Sequence, residues 1–262
     1  MKFNVAPDAR PQVKTLLIAT LISIALWFVP FASYLVYPFR LFVTFIHEGG
    51  HALAALLTGS SILSLVVRPD TSGEVLAMTG SGLASMIVSS AGYLGTTVFG
   101  VLLLVLIRRA VQARIVLAAS AVYIAGLTLL FGLLLPLWNI SNANTPKFEI
   151  LFTLVSGLAI SVGLLAIARY AAPKVAAFFL SFLAVQCILN ALFDLKNVLF
   201  MSAPFAGEMH TDAVNMYNAT GVPSLFWVMI WIGVSVLMVS IGLRLYAVNR
   251  QKASQQDLPF ED

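Results

Sequence analysis

The chain has 262 residues, of which 60% are hydrophobic and 10% charged, with a mean hydropathy of +0.96 and a formal charge of +4. Soluble domains carry roughly a quarter charged residues, so this composition excludes an ordinary soluble enzyme and reads as a polytopic membrane protein. The basic residues fall in short clusters without aromatic interleaving, which gives no footprint for nucleic acid. The single cysteine, Cys187, excludes an internal disulfide and a cysteine-based zinc cluster.

A membrane span needs about 20 apolar residues. In chain order the apolar segments are 15–38, 41–59, 82–107, 115–138, 149–171, 175–200 and 223–246. The expected fold is therefore an all-α polytopic membrane protein of about seven helical segments. A tail over 1–14 precedes a single transmembrane domain over 15–246, and a disordered polar tail over 247–262 follows. The first run is too long for the apolar core of a signal peptide and lacks a clear cleavage site, so it is expected to be retained. The protein is expected to sit in the cell membrane as a multi-pass chain, with the lipid bilayer as its surroundings.

Three connections stand out. Residues 60–80, SSILSLVVRPDTSGEVLAMTG, place a Pro-Asp-Thr-Ser-Gly turn between two β-compatible runs and predict a small β-hairpin between the second and third segments. Residues 139–148 form a polar loop. Residues 201–222 read as a longer loop that carries Glu208, His210 and Asp212. Alternation of the spans puts Arg108, Arg109 and Arg114, then Arg169 and Lys174, then Arg244, Arg250 and Lys252, on one face of the membrane, the cytoplasmic one by the positive-inside rule. The hairpin and both loops share the opposite face. The N-terminal cluster of Lys2, Arg10 and Lys14 joins the other basic residues only if one early segment fails to cross, and the short 41–59 segment is the candidate.

That short segment holds two of the chain's three histidines. It reads His47-Glu48-Gly49-Gly50-His51, an H-E-x-x-H pattern. Residues four apart share one face of a helix, so His47 and His51 can point at one ion. Glu48 can then accept the proton of a water that the metal activates. Structural hydrogen bonding alone is a poor account of two histidines at ligand spacing with an acid between them, because an acidic residue within a span costs about 2.5–3.5 kcal/mol on insertion scales. Gly49 and Gly50 permit close approach of another helix. The expected partner is the glycine-containing stretch 89–100, where Gly92, Thr96 and Gly100 recur every four residues.

A catalytic zinc site takes three protein ligands and keeps one position open. Asp194, an acid in an apolar span, is the first candidate for the third ligand. Asn190 and Asn197 lie on its helix face and are able to orient it. Asp212 and His210 are the alternatives. The hairpin is expected to offer an edge strand to an unwound substrate, with Leu65 and Val67 in that edge.

At these residues the chain resembles the site-2 protease superfamily of intramembrane zinc metallopeptidases, in particular its compact B-like branch. The likeness is carried by His47 to His51, by the glycines around Gly92 and Gly95, and by Asn190-Ala191-Leu192-Phe193-Asp194. Asp212-Ala213, Thr220-Gly221-Val222-Pro223 and the Trp227 to Trp231 stretch add to it, so that it covers residues 40 to 240. It implies Zn²⁺ as cofactor, His47, His51 and Asp194 as ligands, Glu48 as catalytic base, and a membrane-protein or peptide substrate. The family's third-ligand aspartate usually precedes a glycine, whereas Leu195 follows Asp194 here. The competing reading is a membrane protein that binds or transports zinc without proteolysis.

Overall fold

A computed structural model describes residues 10–26, 28–139, 145–201 and 211–247. Within them the chain forms eight helices and one antiparallel two-stranded sheet. In order these are α1 (Arg10–Ala25), α2 (Ala32–Leu57), β1 (Ser61–Val67), β2 (Gly73–Met78), α3 (Gly82–Arg108), α4 (Ala113–Trp138), α5 (Lys147–Tyr170), α6 (Pro173–Met201), α7 (Asp212–Thr220) and α8 (Ser224–Ala247). Helices α3, α4, α5, α6 and α8 are each long and apolar enough to cross a membrane, and they coincide with the last five expected segments. Most of both expected tails lies outside the described residues.

The first two segments divide differently from expectation. The break falls at residues 26–31 rather than near Pro38. Pro30 and the left-handed Phe31, with φ of 63°, end one helix and start the next. Pro38 sits inside α2, where it only forfeits the hydrogen bond to an exposed turn of helix. Helix α1 is then the short one. Its 16 residues reach roughly 24 Å at 1.5 Å per residue, less than the hydrocarbon thickness of about 30 Å. Ser23 of α1 accepts a hydrogen bond from Gln186 of α6 at 3.3 Å, and Ala19, Phe182 and Val185 form a small apolar cluster around that contact.

The hairpin forms as expected. Ser72 and Arg68 close its turn, with Thr71 left-handed at φ of 70° and Asp70 accepting from the Ser72 amide and hydroxyl. These two bonds hold the Asp70 carboxyl below the ordinary carboxylate range. Arg68 ties the turn to the rest of the protein, donating to Glu149 at 2.9 Å and to Glu74 at 2.7 Å. Tyr37 and Thr44 of α2 donate to the carbonyls of Pro69 and Thr71, so the hairpin lies along α2.

The two strands differ in environment. Six of the seven residues of β1 are buried, and Ile62, Leu65 and Val67 belong to the main core. The outer edge of β1 is closed by α5, since Val67 donates its amide to Thr153 Oγ1 at 2.8 Å and its carbonyl accepts from the same hydroxyl. A π-helical turn of α4, Thr128–Leu134, packs over the same strand. Strand β2 is only partly covered and, among the described residues, pairs with β1 alone. Leu65 and Val67, expected in the accessible edge, are fully buried. The free edge belongs to β2.

Helices α2 and α3 cross antiparallel at very short range. A Cβ on Gly50 would run into the Ala91 carbonyl oxygen, the close approach expected of this glycine pair. Gly49 faces a different partner, Tyr123 of α4. The hairpin, the start of α5 and the short helix α7, which packs on the first turns of α3, gather at one end of the bundle, as the alternation of spans requires.

Candidate metal centre

His47 and His51 emerge on one face of α2 and meet α3 between Val88 and Tyr93. That contact lies roughly 9–17 Å along α3 from its first residue, so the centre is sunk into the bundle. His51 is buried, and its Nδ1 donates to the Val88 carbonyl at 2.7 Å. A carbonyl can only accept, so this bond fixes the tautomer and leaves His51 Nε2 as a lone pair facing inward. His47 is held by an edge-to-face contact with Tyr93 at 4.6 Å, and Tyr93 in turn lies against Trp231 at 5.3 Å.

The third group is Asp212, the first residue of α7. Its Oδ2 lies 3.4 Å from His47 Nε2 and 3.3 Å from His51 Nε2, and the two imidazole nitrogens are 3.1 Å apart. Three acceptor atoms at such mutual distances repel one another unless a cation or protons lie between them. Tetrahedral ligands with bonds of roughly 2.0–2.1 Å stand about 3.3 Å apart, which matches the observed spacings. Two imidazoles and one carboxylate also form a borderline donor set suited to zinc. The residues present therefore fit the metal that the motif implies.

Asp194 is not in this donor set. It lies on α6, exposed, within electrostatic reach of His47 and Arg40. Asp212, the alternative drawn from the 201–222 segment, occupies the place beside the two histidines that the sequence reading gave to Asp194. Asn190 does not orient Asp194 either, because its amide donates to the carbonyl and side-chain oxygens of Gln186 on its own helix. Asn197 is exposed on α6. His210 and Glu208 lie outside the described residues.

Glu48 is buried, with 4% of its surface exposed. It lies outside the donor set and turns toward β2, where a side chain on Gly73 would collide with its carboxylate. The acid therefore stands between the metal ligands and the free strand edge.

Gly92 faces both histidines. A Cβ there would strike His47 Nε2 and His51 Nε2 together. A Gly92→Ala variant is expected to keep its helical circular dichroism and lose at least about tenfold in zinc affinity, an effect at the lower end of that for disturbing ligand support. Titration of the purified protein with a competing zinc indicator measures it. An unchanged affinity would show that the ring positions are not fixed by this contact.

Sequence reasoning did not find α7. Thr211 caps it, its hydroxyl accepting from the Val214 amide, and Gly221 ends it in the left-handed conformation with φ of 73°. Threonine before an aspartate and glycine after the last turn are recognisable start and stop signals. Ala213 and Met216 bury its inner face. Trp227 donates to Thr220 and Trp231 to Ser90, which fastens both α7 and α3 to the last helix.

A model of the peptidase M50B-like family matches residues 16–242. The chain belongs to this family. Searches among curated proteins and among solved structures gave no match. With five membrane-capable helices among the described residues, this M50B-like chain is an integral, multi-pass membrane protein.

Proposed function

We propose that this M50B-like chain is a zinc endopeptidase that hydrolyses peptide bonds in or beside transmembrane segments. The observation that carries the reading is the convergence of His47, His51 and Asp212 to within 4.8 Å deep in the bundle, with Glu48 beside them. Bound there, zinc would polarise the scissile carbonyl and make water acidic near neutral pH. Glu48 takes the proton from the attacking water and returns it to the leaving amine. His51, locked by Val88, and His47, backed by Tyr93, keep their ring orientations through that step. The free edge of β2 receives the substrate as an added strand, which exposes amides that a helical substrate keeps bonded to itself.

Family membership supports peptidase chemistry, and the depth of the centre supports a membrane-embedded substrate. Detergent-purified protein incubated with a single-span model peptide is expected to cleave it. A chelator should stop cleavage, and about one equivalent of zinc should restore it. Cleavage that persists after complete metal removal would overturn the reading.

A further inference from the structure

The helix faces that meet at the metal centre continue outward from it. From the N-cap of α3 inward the positions of Ser81, Ser85, Val88 and Gly92 recur at helical spacing along one side, and on α7 those of Asp212, Asn215 and Ala219 do the same. Between the outer parts of these faces lies an open groove of about 410 Å³, lined among others by Thr79, Ser81, Ser85, Asn215 and Asn218. It begins where the free strand ends, since Met78 closes β2 and Thr79 is already in the groove wall. None of the lining residues carries a charge. Among the described residues, the side chains of Ser85, Asn215 and Asn218 make no hydrogen bond to the protein.

We propose that this groove is a substrate subsite, which takes an extended, uncharged polar segment of polypeptide on the side of the scissile bond that follows β2 outward. The inference rests on the reading of the chain as a peptidase. An added strand that leaves the edge of β2 at Met78 loses its backbone partners there. The asparagine amides, each with two donors and one acceptor, are placed to replace them. An apolar helix in the groove would leave these amides unpaired, and a charged segment would find no counter-charge. From Ser81 to Gly92 the seam runs roughly 16 Å at 1.5 Å per residue, which is about five residues of extended chain. The subsite therefore reads residues up to about five from the cleaved bond.

The test uses the full-length, zinc-loaded protein and a synthetic single-span peptide with a flank of Ser, Asn and Gly, whose cleavage site is first mapped with wild type. Glu48→Gln is combined with Asn218→Cys or with Leu76→Cys on β2, and peptides carrying one cysteine at successive positions are allowed to form disulfides. The buried Cys187 stays unreactive. Leu76→Cys is expected to couple near the cleaved bond and Asn218→Cys about five residues away. In the otherwise wild-type protein, Asn215→Ala with Asn218→Ala is expected to raise KM for this peptide about tenfold, with kcat and zinc content unchanged. Coupling at Leu76→Cys but not at Asn218→Cys, or an unchanged KM, would overturn the subsite and leave the peptidase reading standing. Failure of wild type to cleave the peptide at all counts against the peptidase reading itself, and the subsite falls with it.

Discussion

Asp212→Ala is expected to empty the metal centre, while Asp194→Ala retains about one zinc per chain. Geometry separates the two acids. Asp212 Oδ2 stands 3.3–3.4 Å from both imidazole nitrogens, while Asp194 contributes no atom to the donor set. Loss of an outer group that merely supports a ligand costs about 10–100-fold in affinity, so loss of a ligand should exceed a hundredfold. Elemental analysis of protein purified in parallel, with His47→Ala as the zinc-free reference, measures this. Zinc retained in Asp212→Ala and lost in Asp194→Ala would return the third position to α6. In Asp212→Ala, Ala213, Met216 and the Trp227 bond to Thr220 still keep α7 docked.

Glu48→Gln is expected to behave in the opposite way, keeping zinc while cleavage falls by about 10²–10⁴-fold, the usual contribution of a general base. The amide preserves the shape that fits against Gly73 but accepts no proton. A parallel measurement of zinc content and of kcat on one preparation checks both halves. A zinc carrier or a purely structural zinc site would lose little of its function in this variant, so the same experiment separates the competing readings. Loss of zinc together with activity would instead make Glu48 a structural support of the ligands.

What could be read in the sequence followed from how local each feature is. His47 and His51 share a face because the helix repeat fixes it, and the hairpin turn is written in Pro69 to Gly73. The five long spans are continuous apolar runs. The cluster of His47, His51 and Asp212 joins residues far apart in the chain, and nothing local distinguishes Asp194 in its apolar span from Asp212 in a polar connection. The span looked the better place for a buried ligand. Yet Asp212 reaches the site because Thr211 starts a helix there, a short signal in a segment with little hydrophobicity. The accessible strand is β2 rather than β1. Leu65 and Val67 lie in a strand whose last six residues are all buried, under α4 and α5, rather than displayed. The break between α1 and α2 lies by Pro30 rather than at the end of the 15–38 run, because Pro38 falls in an exposed stretch of helix where it is tolerated, while Pro30 is followed by a left-handed residue.

The position of Asp212 has a consequence for biosynthesis. The two histidines are made early, whereas the third donor lies beyond five of the membrane-capable or motif-bearing helices, near the end of the chain. A nascent protein inserting into the bilayer therefore carries the H-E-x-x-H helix long before it can complete a catalytic centre. On the proposed function, the insertion machinery and neighbouring newly made proteins would meet only a latent chain, and activity would begin once α7 had docked against α3.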